Sequence, residues 1–278
     1  MSKKIIQSAV AFGFFFLTFI PQLYAGKLAI VIDDIGYRQR EDSAIYALPP
    51  QISVAIIPSA PYAKQRNQLA YQQGRDILIH LPMQAKNNMK LEPGGLYLGM
   101  NQSEVEQRVA KAKEIVSYAI GLNNHTGSAA TSNAPLMDYL MQALQQHHLF
   151  FLDSRTIGSS VASKIARQRG INALDRDIFL DDSDQLADVE RQFQRAIQYA
   201  RKQGKAIVIG HPRPNTIKVL QAGLRQLPPD IQLVSIGSLW HNEKVTPAKP
   251  FILLFSDQAA PTSTAPFAPV VGLRGMPQ

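Results

Sequence analysis

From Lys27 to about Glu243 short apolar runs alternate with amphipathic stretches, and this alternation constrains the fold more than any single motif. "LAIVI", "ISVAII", "DILIHL", "YAIGLN", "LFFLD", "GINAL", "AIVIG" and "IQLVSI" are each strand-sized, and near-continuous apolar runs suit strands buried on both faces. Between them lie helical stripes. Leu186, Val189, Phe193, Ile197 and Ala200 form one that stops at Gly204, and Leu136, Leu140, Met141 and Leu144 form a second. Val105, Val109, Ala112 and Val116 form a third, behind a capping box expected at Ser103 and Glu106. Strands alternating with helices define an α/β chain with a parallel sheet, and eight strand candidates suggest a barrel, with an open sheet as the alternative.

The two ends stand apart from this pattern. Lys3 and Lys4, the run "AVAFGFFFLTFI" and the small residue Ala25 read as a signal peptide over residues 1–25, cleaved after Ala25. Retention as a membrane anchor is the alternative; in both cases the rest of the chain is exported, and a cleaved signal makes it periplasmic. The domain is expected over residues 26–243. Residues 244–278, rich in Pro and Ala, read as a disordered tail on which "FILLF" has a possible docking role. The absence of cysteine suits export and excludes thiolate chemistry and cysteine-based zinc sites. Net charge is +8, but the basic residues are scattered and not interleaved with aromatics, which argues against nucleic acid and agrees with an anionic surface or polymer.

Polar residues fall where strands end. Asp33 and Asp34 follow the first run, His80 sits in the third, His125 follows the fourth, Asp153 and Arg155 follow the fifth, and His211 follows "AIVIG". In a parallel α/β fold these points emerge together at the carboxyl ends of the strands, where such folds place their sites. The remaining histidines, His147, His148 and His241, suit solvated or local roles. Imidazoles plus a carboxylate, without thiolate, form a ligand set for zinc or another divalent metal. One aspartate of the pair would bind the metal and the other would act as a base beside the water it activates, the requirements for amide or ester hydrolysis. No phosphate-binding loop, HExxH helix or nucleophile elbow is present. The long connection "MQAKNNMKLEPGGLYLGMNQ" reads as a surface loop on the same face.

Taken together, "IDDIGY", "HLPMQ", "NNHTGS", "FFLDSRT" and "GHPRP" resemble the divergent polysaccharide deacetylase family of exported bacterial proteins, relatives of the NodB-homology deacetylases. The resemblance spans about Lys27 to Trp240. It implies a distorted (β/α) barrel and removal of acetyl groups from an N-acetylated sugar, as in a peptidoglycan-type polymer. It also implies Asp33 as catalytic base, Asp34 and His125 as metal ligands, and His211 as general acid toward the leaving amine. The family's second metal histidine has no counterpart, because its position is Ala129. Our inference is that His80 takes its place. Arg155 is expected to orient the Asp33 carboxylate, and Asp153 is an alternative partner for a histidine N–H. Asp181 and Asp182 are open between a helix N-cap and a site role. Two other functions stay open: a catalytically degenerate protein that binds glycan or metal, and a metal-dependent esterase or amidase acting on a non-sugar substrate.

Overall fold

The computed structural model describes residues 26–87 and 89–240. The expected signal segment, the tail beyond Trp240 and His241 lie outside the described residues. The strands are β1 (Gly26–Ile35), β2 (Ser53–Ile56), β3 (Ile77–Met83), β4 (Gly121–Thr126), β5 (Phe150–Asp153), β6 (Ala173–Asp175), β7 (Ile178–Phe179), β8 (Lys205–Gly210) and β9 (Ile231–Val234). The helices are α1 (Gln39–Tyr46), α2 (Ala63–Gln72), α3 (Gln102–Ile115), α4 (Ala134–Gln146), α5 (Ala162–Gln168), α6 (Leu186–Gln203), α7 (Pro214–Gly223) and α8 (Ile236–Trp240). Among the described residues, no helix is long and apolar enough to cross a membrane.

Every strand pairing is parallel, in the order β6-β5-β4-β3-β2-β1-β8-β7, as expected when helical crossovers join the strands. The two ends of that order are consecutive in the chain, with only Arg176 and Asp177 between them. One run of backbone therefore pairs first with β5 and then with β8, and the sheet curls into a distorted barrel. β9 pairs with the first half of β1, Gly26 to Ala29, and β2 pairs with its second half, Val31 to Ile35.

The helical stripes face the sheet as the sequence predicts. Val189, Phe193, Ile197 and Ala200 of α6 are buried, and the helix ends at Gly204 in a left-handed cap with φ 78°. The α3 capping box lies two residues earlier than expected. Asn101 accepts from the Glu104 N–H at 3.0 Å and the Glu104 carboxylate accepts from the Asn101 N–H at 2.8 Å. Both triplets have the right spacing, and the chain is extended at Asn101, the geometry an N-cap requires.

Candidate metal centre

Adjacent side chains on a regular strand point to opposite faces, so two neighbouring aspartates sharing one cavity need an irregularity. β1 supplies it: its register with β2 shifts between Ile32 and Ile35, and Asp34 adopts a left-handed conformation with φ 57°. Gly36 follows with φ 118°, where an added Cβ would meet the Ala60 Cβ at 2.7 Å, so the turn tolerates only glycine. Thr126 and Arg155, at the ends of β4 and β5, are also left-handed. Of the four non-glycine residues with positive φ among the described residues, three cluster at this end of the barrel, as backbone strain tends to do at functional sites.

His80 and His125 reach the same point from β3 and β4. Their strands pair with His80 opposite Asn123 and Pro82 opposite His125, so the two imidazoles and the Asn123 amide share the inward face. His125 Nδ1 lies 3.1 Å from His80 Nε2 and 3.0 Å from Asp34 Oδ1, and His80 Nε2 is 3.3 Å from that oxygen. Asp34 Oδ1 is buried and has no hydrogen-bond partner. A tetrahedral zinc with bonds of about 2.0–2.1 Å spaces its ligand atoms about 3.3–3.4 Å apart, so this triangle of donors matches one small divalent cation. The buried oxygen lacking a partner is what such a cation would satisfy.

The surrounding groups fix these donors. Asn123 Oδ1 sits 2.8 Å from His80 Nδ1, which places the His80 proton there and leaves Nε2 with its lone pair toward the triangle. The same amide donates from Nδ2 to Asp33 Oδ1 at 2.9 Å. Glu92, from the long loop after β3, places Oε1 3.3 Å from His125 Nε2. That loop is pinned to β3 by Leu96, whose N–H donates to the Pro82 carbonyl at 2.9 Å. On the opposite wall, His211 Nδ1 donates to Asp181 Oδ1 at 2.9 Å, while the His211 N–H and the Thr216 hydroxyl donate to Asp181 Oδ2, both at 2.7 Å. His211 Nε2 therefore faces inward, 3.9 Å from Asp34 Oδ2.

Electrostatics point the same way. Burial opposes a charge on His80, but the Asp33 and Asp34 carboxylates outweigh it and lift the imidazole to about 9. Burial also opposes a charge on His211, and the Asp181 hydrogen bond and charge, with Asp33 and Asp34, raise it above its ordinary value. Asp34 is held far below the usual carboxylate range: burial opposes its charge, and the His125 and His80 imidazoles beside it outweigh that desolvation. Asp33 is shifted upward, with desolvation the largest cause. The cavity thus carries an excess of negative charge that stabilises positive charge, from protons on the imidazoles or from a bound cation.

Asp33, Asp34, His80, His125 and His211 are brought together; Arg155 is not. Its Nε pairs with Asp175 Oδ1 at 2.9 Å, and Asp33 is held instead by Asn123, because the left-handed backbone at Arg155 turns the side chain toward β6. Asp153 likewise serves its own loop, accepting from the Arg155 N–H at 2.8 Å and the Ser160 hydroxyl at 2.6 Å, and holds no histidine. Asp181 is a site residue and not an N-cap, since α6 begins after Gln185. Ala129 donates its N–H to the Gln84 carbonyl at 3.1 Å and offers no side-chain donor. Sequence reasoning missed Asn123 and Glu92. Asn123 had a legible signal, two residues before His125 on the same strand face, whereas Glu92 sits in a loop without periodicity.

A parallel barrel brings two histidines and a carboxylate together at its strand ends, beside a second carboxylate and a third imidazole, as a donor set that could hold one divalent cation. The chain belongs to the divergent polysaccharide deacetylase family, whose pattern matches residues 30–240. It is similar to an uncharacterized protein of Haemophilus influenzae, 64% identical over 269 residues, 95% of this chain and 96% of the relative. It is also similar to the uncharacterized protein YibQ of Escherichia coli, 43% identical over 252 residues, 91% of this chain and 76% of the relative. Among solved structures it is similar in fold to an uncharacterized protein from Agrobacterium tumefaciens C58, with TM-score 0.72, 21% identity, and 77% and 89% of the two chains covered.

Proposed function

We propose that this chain is an exported metal-dependent hydrolase that removes acetyl groups from an N-acetylated envelope glycan. The observation that carries the proposal is the donor triangle of Asp34, His80 and His125, with Asp33 beside His80 and His211 turned toward Asp34. His80 takes the ligand position that Ala129 leaves empty. Export rests on the residues before Gly26, where two lysines precede an apolar run and a small residue.

When bound, a divalent cation, zinc being the one best suited to this ligand set, polarises the acetamide carbonyl and lowers the pKa of water. Asp33 stands clear of the triangle, its Oδ2 3.5 Å from His80 Nε2, and takes the proton from the attacking water. Its raised pKa brings it closer to the working pH of a base. Asn123 fixes the orientation of both groups by bonding to each. His211, kept protonated by Asp181 and turned with Nε2 inward, gives its proton to the leaving nitrogen, so that water and acetamide become acetate and amine.

The test is acetate release from N-acetylglucosamine oligomers and from peptidoglycan fragments by the chain from Gly26 onward, before and after chelation. Release that chelation abolishes and zinc restores is the expected result. No release from any acetylated glycan by protein with zinc bound would leave the same cavity as a binding site without turnover.

A further inference from the structure

The cavity that holds the donor triangle, about 210 Å³, is also lined by Arg38 and Arg213. Among the described residues neither arginine has a carboxylate within 4.0 Å. Arg38, whose side chain is exposed, makes no side-chain hydrogen bond among the described residues. Among the described residues Arg213 donates from its side chain only to the Asp181 carbonyl, from Nη1 at 2.6 Å, which leaves the rest of its fork of donors for a ligand. The carboxylates lining the same cavity, Asp34 and Glu92, are already engaged with the imidazoles.

The positions of the two arginines are unfavourable for stability alone. Arg38 is the N-cap of α1 and Arg213 the N-cap of α7, and neither makes a side-chain cap hydrogen bond. Short oxygen-bearing side chains are the ones that stabilise an N-cap, and positive charge there opposes the helix dipole. Both N-cap arginines line one cavity, and an anion bound between them offsets the unfavourable charge.

We infer that Arg38 and Arg213 form an anion subsite at the mouth of the reaction cavity, and that the substrate is an acidic N-acetylated sugar whose carboxylate lies near its acetamide. This rests on the glycan reading above and narrows it. The probes are N-acetylmuramic acid and N-acetylglucosamine, which differ by one carboxylate-bearing ether, titrated calorimetrically into the zinc-loaded chain. The acidic sugar is expected to bind roughly tenfold tighter or more, the worth of one charge-assisted hydrogen bond, with the ratio falling as salt is raised. Arg38→Gln should bring the ratio toward one; because that side chain has no bonding partner among the described residues and its charge opposes the α1 dipole, its melting temperature should stay at or slightly above the wild-type value. Equal affinities in the wild type, or a ratio unmoved by Arg38→Gln, would overturn the subsite, as would failure of both sugars to bind. Equal affinities accompanied by acetate release would leave the hydrolase proposal standing. Preferential binding of the acidic sugar without acetate release from either would remove the hydrolase proposal and keep the subsite.

Discussion

Replacing Asp33 with Asn is expected to lower acetate release by about 10²–10⁴-fold, the range that one positioned general base contributes, while the protein keeps its metal. The substitution is nearly isosteric, and the amide oxygen can still accept from Asn123 Nδ2, which now bonds the carboxylate at 2.9 Å. What disappears is the basic lone pair of a carboxylate that is 2% exposed. The atoms proposed to hold the metal belong to Asp34, His80 and His125 and are untouched. Folding should not suffer either. Because the folded-state pKa of Asp33 is raised by desolvation, its charge opposes folding once the pH exceeds the unfolded value, and a neutral side chain removes that cost. The melting temperature of Asp33→Asn at neutral pH should equal or exceed that of the wild type. A variant retaining more than a tenth of wild-type turnover would mean that another group takes the proton.

The largest effect on stability is expected far from the cavity, at Arg75. Its guanidinium is buried and donates to four backbone carbonyls: Pro49 at 2.8 Å, Ile52 at 3.0 Å, Tyr46 at 2.8 Å and Leu48 at 2.6 Å. Nε donates to Gln73 Oε1 at 2.6 Å, and the guanidinium lies over the Tyr46 ring at 5.5 Å. These carbonyls belong to the end of α1 and the turn into β2; Tyr46 also accepts from Gln73 Nε2 at 3.2 Å and Pro49 from the Ile52 N–H at 3.0 Å, whereas Leu48 and Ile52 rely on Arg75. Arg75→Met fills much of the space but leaves the Leu48 and Ile52 carbonyls and the Gln73 amide oxygen without a donor. At about 1–3 kcal/mol for each buried unsatisfied group, partly relieved by water, a loss of roughly 3–5 kcal/mol is expected. That corresponds to a fall of roughly 10 °C in melting temperature for a domain of this size. Arg75→Lys should recover only part of it, because a single ammonium cannot span the fork. Urea denaturation showing a loss below about 1 kcal/mol would contradict the assignment of these bonds as a structural clamp.

The sequence exposes the parts of this molecule that depend on periodicity and hides those that depend on tertiary geometry. Each of the eight apolar runs overlaps a strand, although of "GINAL" only Ala173 and Leu174 lie in one, and the stripes of α3, α4 and α6 are buried apart from the partly buried Leu186, because burying an apolar face fixes both elements. β7 escaped because Ile178–Phe179 is too short for a periodic signal and exists only where the chain changes partners from β5 to β8. β4 runs from Gly121 to Thr126, three residues later than the apolar run suggests, since Asn123, Asn124 and His125 are strand residues serving an interior polar cluster. In the cavity, the five strand-end residues were legible from their positions after apolar runs. The Arg155 assignment failed for a local reason: a left-handed backbone conformation, invisible in composition, sends the side chain to Asp175. Asp181 stayed ambiguous because a carboxylate ahead of a helix has the same sequence appearance whether it caps that helix or holds a histidine from another strand.

The most direct test of the central claim is the metal content of the purified chain from Gly26 onward, measured by elemental analysis beside His80→Ala and His125→Ala. The structure predicts close to one divalent ion per wild-type chain and its loss in both variants, because each contributes one corner of the donor triangle. A wild-type chain that takes up no metal on titration, or a His80→Ala variant that retains it in full, would contradict the account.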